Sequence, residues 1–372
     1  MAKYVVTKKK KNYNGTNGND TFTTAKTAGS FSIFAKGGND RIFISRGSGT
    51  VDVGKGSDYV EVTGGKVERL RLSEGRNEIK VTGGKVSRIV GDGHVRRTSD
   101  IINVSKQKSI TITTSYGADS ITVKGITNAL LSKASKATIE TNDGNDTITI
   151  SGGGLNRINT GYGKDNITIS AGSNYVKAGA GSDTIVVNSK YGNYIKGDAG
   201  ADRITLGKNA RRCVVEGGDQ NDTITVKSTA SGKIGNLVKG GNGSDTYDVH
   251  YKQGMTLVVD ARNTTEGPDT LKLRATTSDP ISFEYFKKKD VMEIYGKIHV
   301  IGFSKLKEFN FIVETGTFSF KPKEIINTSS LTLISNASFD INKLLSPYNT
   351  IANGFIGGTN SSEAKYMGYK GY

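Results

Sequence analysis

The chain has 372 residues and carries 51 Lys and Arg against 35 Asp and Glu, a formal charge of +16. Glycine supplies 48 residues, proline 4 and cysteine one. No apolar run approaches the roughly 18 residues of a membrane-spanning helix, one cysteine excludes a disulfide scaffold or multi-Cys zinc site, and His94, His250 and His299 are too scattered to form a His-x-x-x-His metal pair.

Residues 1–14 read as a basic leader around Lys8-Lys9-Lys10-Lys11. They lack the apolar stretch of a cleaved signal peptide. That absence suits both export by a C-terminal signal and a cytosolic protein. Low hydrophobicity with high charge would elsewhere suggest disorder, but residues 15–250 are a repeat. A key residue recurs at Asp20, Asp40, Asp58, Asn77, Asp100, Asp119, Asp146, Asp165, Asp183, Asp202, Asp222 and Asp245. Glycine stands two residues before ten of these twelve positions; Thr98 and Gln220 are the exceptions. Two residues after each lies an apolar side chain, from Phe22 and Ile42 to Ile224 and Tyr247. Another follows four residues after, from Ile44 and Val62 to Val226 and Val249. Seven residues before, the pattern recurs in Ile33, Val51, Leu70, Ile112, Ile139, Ile158, Val176, Ile195, Val215 and Val238. Apolar spacing of two, rich in β-branched residues, predicts short strands with one inward face. Each period therefore holds two strands and two turns. One such unit cannot bury its inward side chains alone, whereas stacked units share a thin continuous core. The expected fold is all-β, a parallel β-roll or β-helix solenoid of about twelve coils with a C-terminal β-rich cap.

The turns carry the chemistry. Their consensus is Gly-x-Gly-x-Asp. Candidate metal-binding residues are Asp20, Gly38, Asp40, Gly56, Asp58, Gly117, Asp119, Gly144 and Asp146, then Gly161, Gly163, Asp165, Gly179, Gly181, Asp183, Gly197, Gly200, Asp202, Gly217, Asp222, Gly241, Gly243 and Asp245. Glycine lets the backbone turn its carbonyls toward one point, and aspartate adds a hard anionic oxygen. Ca2+ takes six to eight oxygen ligands, carbonyls among them. Stacking would align the aspartates into a ladder that repels itself unless cations lie between the rungs.

These units resemble the haemolysin-type RTX calcium-binding nonapeptide Gly-Gly-x-Gly-x-Asp-x-apolar-x, from about Gly15 to Val249. The resemblance implies a parallel β-roll, calcium-dependent folding and bacterial export through a type I secretion apparatus. It also implies a secreted or cell-surface location. The alternate half-coil departs from the family: its aspartate position falls on Asn156, Asn174, Asn193, Cys213 and Asn236. Calcium is therefore expected on one edge, with a hydrogen-bonded asparagine stack on the other. The coils around Asn77 and Asp100 are degenerate, with Arg96-Arg97-Thr98-Ser99 where glycine should be.

Residues 251–326 have less glycine and more aromatic side chains, and read as a cap over the last coil. Residues 327–372, rich in Ser, Asn and Thr, lie where the resemblance would place an uncleaved secretion signal. Residues 1–118 hold 21 basic and 10 acidic residues, a net +11 out of the +16. A basic surface attracts polyanions, so anionic cell-envelope polymers or glycans are expected partners. Aromatics are not interleaved with the basic residues as in a single-strand nucleic-acid binder, so no specific nucleic acid is expected. Gly-x-Ser-x-Gly, His-Glu-x-x-His and P-loop motifs are absent. The expectation is a non-enzymatic structural or adhesive module. The alternative is a β-helical polysaccharide lyase or epimerase, whose site would need no short motif.

Overall fold

The computed structural model describes residues 1–91, 99–125, 136–232, 234–252, 254–262, 267–275, 283–286, 290–294, 298–301, 303–313, 316–320 and 332–333. The chain divides into two compact units, Met1–Gly172 and Ser173–Tyr372. Each is an all-β parallel solenoid with two strand ladders. No helix among the described residues is long and apolar enough to cross a membrane.

In the first unit, one ladder consists of the strands that follow the key residues. It runs Lys3–Val6, Thr21–Thr24, Arg41–Ile44, Tyr59–Val62, Glu78–Val81, Ile101–Ser105, Ser120–Lys124, Thr147–Ile150 and Asn166–Ile169. The ladders thus begin ahead of Gly15, inside the stretch that reads as a leader. Neighbours are parallel and in register, so Phe22, Ile42, Val60 and Ile79 stack directly on one another. Ile102, Ile121, Ile148 and Ile167 continue the column. The second ladder includes Asn12–Asn14, Ser30–Phe34, Ser48–Asp52, Lys66–Arg71, Arg88–Val90, Ser109–Thr113, Lys136–Glu140 and Leu155–Tyr162. Its inward column is Tyr13, Ile33, Val51, Leu70, Ile89, Ile112, Ile139 and Ile158. Ile89 takes the place that strict counting back from Asp100 gives to Gly93. Residues 92–98, Arg96, Arg97 and Thr98 among them, lie outside the described residues.

In the second unit, the key-residue ladder is Thr184–Val187, Arg203–Leu206, Thr223–Val226, Thr246–Tyr251, Thr270–Ala275 and Glu308–Val313. The opposing ladder is Ser173–Ala180, Tyr194–Ala199, Val214–Asp219, Asn236–Gly241, Leu257–Asp260 and Ile298–Ile301. Parallel pairing therefore continues well past residue 250. It gives way to antiparallel strands: Gly316–Phe320 folds back on Glu308–Val313, and Val291–Ile294 pairs with both Ile298–Ile301 and Phe283–Phe286. Antiparallel strands at the end of a parallel stack satisfy an edge that would otherwise pair with another chain. Apart from Thr332–Leu333, the tail 327–372 lies outside the described residues.

The core is thin and mostly isoleucine, valine and leucine. Ile42, Val60, Ile79, Ile148, Ile167, Ile185, Ile204 and Ile224 are all fully buried. Each such side chain contributes about 1.5–3 kcal/mol. Every strand spends half its residues outward, so the low apolar content suffices. Across the outer faces, Lys80 meets Glu61 at 3.1 Å and Lys196 meets Glu216 at 3.3 Å, both pairs spanning neighbouring coils. Exposed pairs of this kind contribute at most about 1 kcal/mol each.

Candidate metal centre

The key aspartates sit at the corner where the chain enters the first ladder. There the turn leaves a backbone N–H without a strand partner, and a buried unmet amide is costly. The aspartate of the following coil meets it. Asp20 N–H donates to Asp40 Oδ1, and Asp40 N–H to Asp58 Oδ1, both at 2.7 Å. The series continues through Asn77 (3.1 Å), Asp100 (3.0 Å), Asp119 (2.7 Å), Asp146 (2.7 Å) and Asp165 (2.8 Å). In the second unit, Asp183, Asp202 and Asp222 donate in turn to Asp202, Asp222 and Asp245 at 2.8 Å each. Asp245 donates to Asp269 Oδ1 at 2.9 Å. A second ladder runs in the opposite sense one residue earlier. Asn39 N–H donates back to Asn19 Oδ1, Ser57 to Asn39, Lys164 to Asn145 and Ser244 to Asn221, at 2.7–2.9 Å.

One oxygen per aspartate is thus committed to an amide. The other, Oδ2, is buried without a hydrogen-bond partner in Asp40, Asp58, Asp100, Asp119, Asp146, Asp202, Asp222 and Asp245. All eight residues are at most 2% exposed. Burial pushes the carboxyl of Asp40 and Asp100 up to about 6, of Asp119, Asp146, Asp202 and Asp245 up to about 7, and of Asp58 and Asp222 up to about 8. The negative charges of adjacent rungs add to this: Asp202 and Asp245 act on Asp222, and Asp40 and Asp100 on Asp58. Asp20, at the open end, differs. Burial opposes its ionisation, but amide bonds from Thr16 and Ala2 and the Thr16 hydroxyl outweigh that and lower its pKa. Its Oδ2 accepts the Thr16 N–H at 2.6 Å and the Thr16 hydroxyl at 2.9 Å.

The glycines fall into two groups. Gly38, Gly56, Gly117, Gly144, Gly161, Gly163, Gly179, Gly181, Gly200, Gly241 and Gly243 all have positive φ. At Gly200, with φ +134°, a Cβ would also strike the Gly181 carbonyl oxygen of the preceding coil. Gly197 and Gly217 are different: they lie in strands, outside the left-handed region, and face carboxylates. A Cβ on Gly197 would fall against both Asp202 Oδ2 and the Gly217 carbonyl oxygen. One on Gly217 would fall against both Asp222 Oδ2 and the Gly240 carbonyl oxygen. At each point a carboxylate oxygen and a carbonyl oxygen from the next coil share one small space that no side chain can enter. Of the predicted residues, the structure therefore brings Gly197, Asp202 and Gly217 together, and likewise Gly217 and Asp222. Gly161 and Gly163 lie against the carbonyls of Asn142 and Gly144 instead.

Sequence reasoning missed Gly240 and Asp269. Gly240 stands in a run with Gly241 and Gly243, which hides the one that meets the carboxylate; a Cβ there would strike Asp245 Oδ2. Asp269 carried a signal, with Gly267 before it and Leu271 and Leu273 after it. It is a buried rung like the others.

The opposite edge holds the asparagine stack. Asn174 Nδ2 donates to Asn193 Oδ1 at 2.7 Å, Cys213 N–H to Asn236 Oδ1 at 2.9 Å, and Ala137 N–H to Asn156 Oδ1 at 3.1 Å. Cys213 is fully buried in this column, and burial pushes its thiol up to about 11. The thiol should therefore resist a thiol-specific reagent in the intact solenoid and react within minutes once the coils open. Fast reaction of the native chain would contradict this packing.

The donor set suits a hard cation. It is made only of oxygens, it is anionic, and it carries a buried partnerless oxygen at each of the eight aspartates just named. No three His, Cys, Asp or Glu side chains converge among the described residues, so a cation here would draw on backbone carbonyls as well. Asp202 and Asp222, with the Gly217 and Gly240 carbonyls, are the residues that would hold calcium.

No family profile matches the chain. No curated protein matches it either. Among solved structures, it is similar to the crystal structure of a hyperactive, Ca2+-dependent, β-helical antifreeze protein from an Antarctic bacterium, with a TM-score of 0.46 and 15% identity, over 91% of this chain and 96% of that one.

Proposed function

We propose that this chain is a calcium-binding solenoid of the RTX type, which folds on calcium outside the bacterial cell and serves as a structural or adhesive surface module. One observation carries this reading: eight buried carboxyls of the stack each have one oxygen capping an amide and the other left without a partner. A buried polar atom without a partner costs about 1–3 kcal/mol, and more when charged. Calcium between rungs would supply the missing positive charge. The Gly-x-Gly-x-Asp register supports export through a type I secretion apparatus. The proposed role is non-catalytic, since the ladder carboxyls are committed to backbone amides of neighbouring coils.

The test is far-UV circular dichroism of the full chain in EDTA, then through a calcium titration into the millimolar range expected of extracellular sites. At pH 8 and physiological temperature the β-sheet signal should be largely lost in EDTA and recovered with calcium. Magnesium, which demands tighter octahedral geometry, should recover much less. A β-sheet signal that is the same in EDTA and in calcium rules the reading out.

A further inference from the structure

We propose that the corner of the first unit where the chain leaves the key-residue ladder is a docking strip for a linear acidic polysaccharide. This corner lies at the opposite end of the strands from the aspartates, so the inference goes beyond the calcium reading. It is a separate surface on the same coils.

The corner is built coil on coil. Ser45 and Arg46 both donate backbone N–H groups to Thr24 Oγ1 of the preceding coil, at 2.8 and 3.3 Å. Lys66 N–H donates to the Gly47 carbonyl, and Lys85 N–H to the Gly65 carbonyl. Gln107 Nε2 reaches the Gly84 carbonyl at 3.3 Å, so Lys106 and Lys108 belong to the next coil along. Exposed cations therefore stand on four of five successive coils: Lys26 and Arg46 on adjacent corners, then, past the coil of Gly65, Lys85 at the register of Lys66, and Lys106. None of the four makes an ion pair among the described residues. Lys66 differs, being held by Glu68 at 2.8 Å. An open recess of ≈ 680 Å³ lies on this strip, lined by Lys26, Ala28, Ser45, Arg46, Gly47 and Gly65, with no acidic side chain.

Spacing selects the partner. Stacked coils repeat at about 4.8 Å, so the strip offers cations at that step or, across the Gly65 coil, at twice it. A uronic-acid chain with one carboxylate per sugar advances by a comparable step. Duplex DNA carries one charge per ~1.7 Å of axis, far denser than the strip can answer. No aromatic side chain lines the recess on which a base could stack. Glycine at Gly47 and Gly65 serves the stacking itself, since a Cβ at either would strike a carbonyl oxygen of the preceding coil.

The test uses the full chain in calcium at low ionic strength, with binding to immobilised polyglucuronate, to heparin and to duplex DNA measured side by side. The two polysaccharides separate carboxylate from sulfate recognition. The variant Lys26→Gln/Arg46→Gln/Lys85→Gln/Lys106→Gln should lose about tenfold or more in affinity for the polysaccharide. Lys190→Gln/Lys208→Gln/Arg211→Gln/Lys227→Gln removes the same charge from the second unit and should lose less than about threefold. Equal losses would reduce the effect to net charge and overturn the proposal. So would tighter binding to DNA than to either polysaccharide, or no binding of the unaltered chain. Circular dichroism of each variant in calcium separates this question from folding. The single exchange Arg46→Gln, at an exposed side chain, gives the same reading should the fourfold variant unfold.

Discussion

In EDTA, the melting temperature of this chain should fall as the pH rises from about 5 to 8, and millimolar calcium should reverse that slope. In an unfolded chain an aspartate titrates near 3.9. In the solenoid, burial holds Asp202 up to about 7 and Asp222 up to about 8. Between those limits the unfolded chain has released protons that the fold retains. Raising the pH across that window therefore favours unfolding, by about 1.4 kcal/mol per rung for each pH unit. Below about pH 4 the penalty disappears, because both states are protonated. Calcium competes with the proton for the same oxygen, so the loaded fold gains where the metal-free fold loses. At a hundredfold excess over its dissociation constant, one site adds about 2.7 kcal/mol. Several sites acting together should raise the melting temperature at pH 8 by about 10 °C or more. Asp222→Asn separates the two contributions of that carboxyl. The amide oxygen still caps the neighbouring N–H, but the charge is gone. The variant should melt above the unaltered chain in EDTA at pH 8, and below it in calcium. Equal melting temperatures at pH 5 and pH 8 in EDTA would show that the buried carboxyls impose no such cost.

Gly217→Ala should be strongly destabilising. Gly217 stands between two rungs, and the added methyl would meet Asp222 Oδ2 and the Gly240 carbonyl oxygen together. Neither can withdraw. The carboxyl is pinned by its bond from the Asp202 amide, and the carbonyl belongs to the Asn236–Gly241 strand. The expected loss is about 3 kcal/mol or more, together with a weakened calcium response. Gly153→Ala is the control: nothing lies within 4 Å of its added carbon, and its backbone is not left-handed. It should stay within about 0.5 kcal/mol of the unaltered chain. If the two exchanges prove equally mild, the space beside Asp222 is not closed.

Much of this architecture was legible in the residues. Period-two apolar spacing gave the inward columns from Phe22 to Tyr247, because a strand side chain has only two directions to take. The aspartate register gave the rungs, because a fixed coil length superimposes like residues. The asparagine column from Asn174 to Asn236 was legible for the same reason. Pairing was not. Nothing local says that an aspartate reaches back one coil while Asn19 or Asn145 reaches forward, since these bonds join residues 18–27 positions apart. The coils beyond Tyr251 were hidden by larger side chains and longer intervals, although Asp269 kept the local signature. Gly240 was hidden by its glycine neighbours.

The two opposed capping ladders give the stack a chemical polarity. Each coil leaves one amide waiting for the carboxyl of the coil that follows it in the chain. A solenoid cut within the aspartate ladder would therefore end in an unanswered amide donor beside an unanswered asparagine oxygen, and one begun there would open with an unanswered carboxyl beside an unanswered amide. The two kinds of stump differ in charge as well as in bonding. Positive solvent species would heal the opening end, and anions the closing end. Growth by addition of a coil is thus vectorial.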